Sequence, residues 1–167
     1  LMATKFGKRI SLLYIDPKTG IHFKKNLGNY NSNKINDGTN FLHWICDSFD
    51  FYPKLTLRQN EIEYFERMFE KHKLSSYGLP NYDYSLKNLI ILLEWIDEST
   101  EASLNEKIGV EPGDLYRMVE TTYWLSYCLY EIAKLIGRKD LLAEINILRL
   151  RIRHGIKSEL IPLIQLE

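Results

Sequence analysis

At 167 residues, with 45% hydrophobic and 13% aromatic content, the chain is too apolar for a solvating tail and long enough to bury one medium-sized core. Its 22 Lys/Arg equal its 22 Asp/Glu, which excludes strong global attraction to nucleic acid or to an anionic membrane and leaves only local patches to consider. The two cysteines, Cys46 and Cys128, form no CxxC pair, so a disulfide framework is excluded and a reducing compartment is expected.

The longest apolar run, Leu89 to Leu93, is far short of the ~20 residues that a membrane span requires. No signal-peptide pattern follows Lys5, Lys8 and Arg9. The expectation is a soluble, internal chain.

Residues 6–15 are rich in β-formers and end at Asp16-Pro17-Lys18-Thr19-Gly20, a turn signal, which predicts one strand. A lone strand is unstable, so its partners are expected upstream of Leu1, and the chain is expected to begin inside a domain. His22 to Asn33 predicts a short helix, and a polar loop over 32–38 then offers Asp37 or Thr39 as a cap for the next one. That next helix is predicted from Asn40 to about Phe49, with Phe41, Leu42, Trp44, Ile45 and Phe49 as its apolar side. Thr56 to about Lys73 predicts a longer helix striped by Ile62, Phe65 and Phe69, with Glu63 and Arg67 as an exposed ion pair four residues apart. After a loop over 75–82, Asp83 to Asp97 is apolar enough for a central helix with Trp95 at the edge of the core.

A short helix from Ala102 to Ile108 leads through Gly109-Val110-Glu111-Pro112-Gly113 into the longest uninterrupted helical pattern, which stops at Gly137. Pro112 suits a first turn, Asp114 suits the positive end of the helix dipole, and Gly137 suits a stop. Leu115, Met118, Val119, Thr122, Leu125, Ser126, Leu129, Ile132, Ala133 and Ile136 recur at three- and four-residue spacing and predict one buried stripe. Off that stripe, Arg117 and Trp124 are two turns apart, about 10 Å along the axis at ~1.5 Å per residue. By spacing alone this pair reads as a packing tryptophan and a solvated or salt-bridged arginine. The last helix is predicted from Leu141 or Leu142 to Ile156, with Ile145, Leu148 and Ile152 buried and Arg149 and Arg153 sharing an exposed face. Arg149, Arg151, Arg153, His154 and Lys157 make this segment a local positive patch.

The sequence holds neither a G-x-x-x-x-G-K-[ST] phosphate loop nor a G-x-G-x-x-G fingerprint. The histidines, at 22, 43, 72 and 154, are widely separated, and no metal is expected. Glu61, Glu63, Glu66 and Glu70 read as a solvated charged face, and Cys128 reads as a small buried hydrophobe. No catalytic site is expected in this stretch.

Ile108-Gly109-Val110-Glu111-Pro112-Gly113-Asp114-Leu115, Val119-Glu120-Thr121 with Trp124-Leu125, and Arg151-Ile152-Arg153-His154-Gly155-Ile156-Lys157-Ser158-Glu159-Leu160 resemble the C-terminal part of Ski-two-like superfamily 2 DNA helicases. The resemblance is to the archaeal fork-remodelling type, related to the helicase half of polymerase theta. Thr4 to Arg9 and Leu13 to Pro17 resemble the end of that family's winged-helix domain. The resemblance implies a mainly α fold: residues 1–21 as the last strand and wing of a winged helix, then residues 22–167 as an all-α ratchet bundle around one long helix. It implies a domain that grips single-stranded DNA for a 3′-to-5′ helicase acting on forked DNA, with Arg117 and Trp124 as strand contacts and Arg151, Arg153 and Lys157 as further candidates. ATP and Mg would then belong to motor domains that are not in this sequence, and the protein would be cytoplasmic and nucleoid-associated. Two other readings of the residues stay open: a helix-turn-helix regulator that reads duplex DNA through residues 102–137, and a helical protein-interaction module.

Overall fold

The computed structural model describes residues 3–32, 38–77 and 84–165. Among the described residues every regular element is helical: α1 Lys5–Leu13, α2 Pro17–Asn29, α3 Thr39–Cys46, α4 Ile62–Lys71, α5 Tyr84–Ile96, α6 Glu101–Ile108, α7 Pro112–Leu135, α8 Leu142–His154 and α9 Ile161–Ile164. Short 3₁₀ turns precede α4, α8 and α9. The fold is mainly α, built around one long helix. Most of the predicted 32–38 loop, with Asp37 as a cap, and residues 78–82 of the loop over 75–82 lie outside the described residues, and Thr39 is the first residue of α3.

The strand predicted over 6–15 is a helix instead. Thr4 caps α1 by accepting a hydrogen bond from the Gly7 amide at 3.0 Å, and Ile10 and Leu13, three residues apart, turn inward together. The residues read as a turn start the next helix: Asp16 caps α2 through the Lys18 amide at 2.8 Å, and Pro17 takes the first position, where its missing N–H costs nothing. Helix-start chemistry at both ends, together with an ion pair from Arg9 to Glu131 of α7, outweighs the β-propensity of the segment. No strand or wing occurs among the described residues, and the expected boundary at 21/22 falls inside α2.

Helix α7 is the axis. Pro112 begins it, Asp114 lies in its first turn, and Leu115, Met118, Val119, Thr122, Leu125, Ser126, Cys128, Leu129, Ile132 and Ala133 are buried along one side. Helix α8 forms the largest interface with α7, while α2 and α3 pack on it from elsewhere and α5 runs behind α3 and α8. Ile145, Leu148 and Ile152 of α8 are buried against this frame. Phe49, expected on the apolar side of α3, lies beyond the end of that helix and is 55% exposed. The ammonium groups of Lys18 and Lys54 lie 4.8 Å and 5.8 Å from its ring centre.

Glu61 is also not where the sequence suggests. It is buried rather than solvated, and its Oε2 accepts from Lys87 Nζ at 2.7 Å and from the Arg58 amide at 2.9 Å. Lys87 also donates to the Thr56 carbonyl at 2.9 Å. The pair clamps the start of α4 to α5, and Gly109 is required beside it: at φ +68°, its missing Cβ leaves the space that Glu61 Oε1 occupies. Glu63 does not pair with Arg67, whose guanidinium lies instead 5.9 Å from the Tyr64 ring centre.

Removing one member of a buried ion pair strands the other charge. Lys87→Met is therefore expected to cost about 3–5 kcal/mol in a denaturant titration, and Glu61→Gln combined with Lys87→Met to recover much of that loss. A single-variant cost under about 1 kcal/mol, the range of an exposed pair, would contradict the clamp.

Candidate nucleic-acid interface

The side of α7 opposite its buried stripe carries Tyr116, Arg117, Glu120, Trp124 and Tyr127, all exposed. Their spacing of three and four residues follows from the helical period: if Leu115, Thr122 and Leu129 face the core, these face away. Arg117 and Trp124 therefore share one open side, as the sequence indicated. Arg117 Nη1 lies 3.3 Å from Asp114 Oδ1, with 60% of its side chain exposed. An exposed pair of this kind is worth little and exchanges readily for another anion.

The three tryptophans differ in their commitments. Trp44 is buried in an aromatic cluster, 5.4 Å from the rings of both Tyr30 and Phe41. Trp95 donates from Nε1 to the Ile152 carbonyl at 2.7 Å and lies under the backbone of Gly155, which at φ +60° has no Cβ to strike the indole. Trp124, 36% exposed, has neither a ring partner nor a hydrogen bond among the described residues. An indole held out on a rigid helix with one uncommitted face is suited to stacking a planar group.

The basic patch that is continuous in sequence is divided in space. Arg151 is buried, donates from Nε to the Ile156 carbonyl at 3.3 Å and lies 3.9 Å from Asp97 Oδ1. Lys157 is exposed and lies 3.8 Å from Glu98 Oε2. Both border the α5 end, where a pocket of ≈ 440 Å³ is lined by Gly38, Asp97, Leu148, Arg151 and Lys157 among others. Arg153, in contrast, turns toward α7, 5.0 Å from the Tyr123 ring centre. Of the three basic candidates from this segment, only Arg153 is brought to the side of α7. Arg151 serves the frame, with Trp95 and Gly155, in fastening the end of α8 to α5.

Sequence reasoning placed Arg149 and Arg153 on one face but missed Tyr123 and Tyr127, whose rings they meet there. Arg149 lies 4.9 Å from the Tyr123 ring centre and 5.3 Å from that of Tyr127. The available signal was the matching four-residue interval on each helix, 123/127 and 149/153, which aligns two pairs of side chains when α7 and α8 pack side by side.

His72, Glu94 and Asp97 bring one potential ligand atom each to within 4.8 Å of one another. The donor set does not suit a metal, because cations already hold the carboxylates: Lys71 Nζ is 2.7 Å from Glu94 Oε1, and Arg151 approaches Asp97. Burial pushes the Glu94 carboxyl up, but hydrogen bonds from His72 at 2.6 Å and Lys71 outweigh it and hold the group down to about 2. The cysteines offer no nucleophile. Burial raises the Cys46 thiol well above its ordinary value, and burial, with Asp50 nearby, raises Cys128 to about 12. None of the described helices is long and apolar enough to cross a membrane.

The described frame is a helical domain that displays an exposed indole, exposed tyrosines and one exposed arginine on one long helix, with two further arginines beside it on α8. Comparison with known proteins narrows the class. A family described as "Archaeal helicase, domain 4" matches residues 39–155. The chain is 37% identical over 166 residues to the ATP-dependent DNA helicase Hel308 of Pyrococcus abyssi, covering 96% of this chain and 23% of that protein. It is 35% identical over 175 residues to the protein of the same name from Thermococcus kodakarensis, covering 99% of this chain and 15% of that protein. For the Pyrococcus horikoshii Hel308 the identity is 37% over 177 residues, covering 99% and 24%. The chain thus belongs to the archaeal helicase domain 4 family, and it spans about a quarter or less of the length of these curated relatives.

The depressed Glu94 pKa has a consequence for stability. A carboxyl held near 2 when folded, against an ordinary 4.5, stabilises the fold above about pH 4.5 and loses that contribution as pH falls toward 2. Glu94→Gln is expected to lower stability near neutral pH by about 2–3 kcal/mol and to flatten the acid limb of a stability-against-pH series. Wild-type and variant curves that stay parallel from pH 6 to about pH 2 would contradict the assignment.

Proposed function

We propose that this domain grips single-stranded DNA within an ATP-dependent 3′-to-5′ DNA helicase that unwinds forked DNA in replication-fork repair. The observation that carries the reading is Trp124: of the three tryptophans it alone has no ring or hydrogen-bond partner among the described residues, and it stands two turns from Arg117 on the exposed side of the bundle's axis. Membership of a helicase family and similarity to proteins named as ATP-dependent DNA helicases support the substrate class.

The chemistry is that of a moving grip. Every base has a π-face, so an indole stacks on a passing strand whatever its sequence. Arg117 exchanges its weak contact with Asp114 for a phosphate oxygen, gaining a charge-assisted hydrogen bond. Burial of the opposite side of α7 keeps both groups at fixed height and azimuth, so the strand is held against a rigid surface. Glu120 lies between them in sequence and is exposed; its charge opposes tight phosphate binding, which suits a contact that must release at each step.

The sequence holds no G-x-x-x-x-G-K-[ST] phosphate loop, and no step here is routed through nucleotide or Mg²⁺. Those would be held by motor domains of the whole helicase.

Binding of a fluorescein-labelled thymidine homopolymer, followed by anisotropy, tests the grip. Trp124→Ala is expected to weaken binding by about 1–3 kcal/mol, roughly 5- to 150-fold. Trp124→Tyr is expected to retain part of the affinity, and Glu120→Gln to increase it. Unchanged affinity in Trp124→Ala, or a preference for one duplex sequence over single strands, would contradict the reading.

A further inference from the structure

Arg153, Tyr123, Arg149 and Tyr127 form an alternating cation–aromatic ladder across the α7–α8 seam, with centre separations of 5.0, 4.9 and 5.3 Å. Most buried or half-buried cations elsewhere in the described structure meet a carboxylate: Arg9 with Glu131, Lys87 with Glu61, Arg138 with Asp140 and Arg151 with Asp97. The two ladder arginines do not. Arg149 reaches only Asn146 Oδ1, at 3.5 Å, and its Nε is buried without an acceptor.

An arginine held by a carboxylate is neutralised and has its N–H fork occupied. Held against aromatic rings instead, it keeps its full charge, because a ring carries no formal charge to neutralise it. The ladder is thus a rail of two cations held against tyrosine rings and without a carboxylate partner among the described residues. Its position is next to the strand-gripping groups. Tyr127 is three residues after Trp124 and falls between Tyr123 and Trp124 around the α7 axis, so the rail flanks the open side of the helix.

We propose that Arg149 and Arg153 form a phosphate rail that binds the backbone of a single-stranded nucleic acid alongside Trp124, with Tyr123 and Tyr127 as positioning residues that hold the guanidinium groups in place. This inference rests on the strand-gripping reading for the identity of the polymer. The charge arithmetic is its own: two phosphate oxygens satisfy a donor set that the protein leaves without acidic partners. Trp124 would then take the base and the rail the backbone of the same strand, which divides stacking from charge between two neighbouring helices.

Salt dependence separates the rail from a purely structural glue. Each phosphate contact on a single strand contributes about 0.7 to the slope of log Kobs against log salt concentration, so two contacts contribute about 1.4. The purified protein is titrated with the labelled thymidine homopolymer over a series of salt concentrations. Arg149→Gln with Arg153→Gln is expected to lower the slope by about 1.4, and Arg153→Gln alone, at an exposed position, by about 0.7. Arg149→Lys with Arg153→Lys keeps the charge and is expected to restore most of the slope. A rail that only fastens α8 to α7 would lower the melting temperature in the glutamine variants and leave the slope unchanged, and that result would overturn the proposal. The two readings fail separately. If Trp124→Ala weakens binding while the slope is indifferent to both arginines, the grip stands and the rail falls. If the arginine variants lower the slope while Trp124→Ala is silent, the rail stands and stacking falls.

Discussion

One-sided burial of a 24-residue helix is the constraint on which the rest of the structure depends. Because Leu115, Met118, Leu125, Leu129 and Ile132 are all pinned inward, α7 can neither rotate nor slide without opening the core around it. The residues opposite are consequently presented at fixed positions. Helices α2, α3, α6 and α8 are arranged about this axis, and the α4 and α5 elements are tied in behind it by the buried Glu61–Lys87 pair. What looks like a surface feature, an exposed tryptophan two turns from an exposed arginine, is thus a property of the core.

The same division explains the roles of the two motif segments. Gly109 gives Glu61 room beside the start of α7, and Gly155 gives Trp95 room at the end of α8. Arg151 and Trp95 then lock that end by hydrogen bonds to the Ile156 and Ile152 carbonyls. Both segments are therefore joints of the frame. Of their basic side chains Arg151 is buried in the frame and Lys157 lies near Glu98, while Arg153 faces α7 together with Arg149.

Much of this was legible in the sequence, and the failures have physical causes. The α7 stripe could be read because its buried positions keep one period without interruption, and the ends of the helix are marked by Pro112 and Gly137. Residues 6–15 misled because Ile10, Leu12, Leu13, Tyr14 and Ile15 favour extended structure locally, whereas the helix is selected by Thr4 at its cap and by a partner, Glu131, far along the chain. Glu61 sits in a run of charged residues, and nothing local distinguishes it from Glu63; its burial depends on Lys87, which only the fold brings near. The basic segment misled by its continuity, although the helical period separates Arg151 from Arg149 and Arg153 by about half a turn. The tyrosine pair on α7 had no meaning until α8 was laid against it.

Under the proposed function Trp124 contacts the strand, whereas Trp44 and Trp95 are packed into the frame. Fluorotryptophan labelling gives each of the three indoles its own fluorine NMR signal in one sample, so the assignment can be read without a stacking mutation. On titration with a thymidine homopolymer, the Trp124 signal is expected to shift and broaden to saturation while those of Trp44 and Trp95 stay in place. Saturable binding that leaves the Trp124 signal unmoved would contradict the central claim.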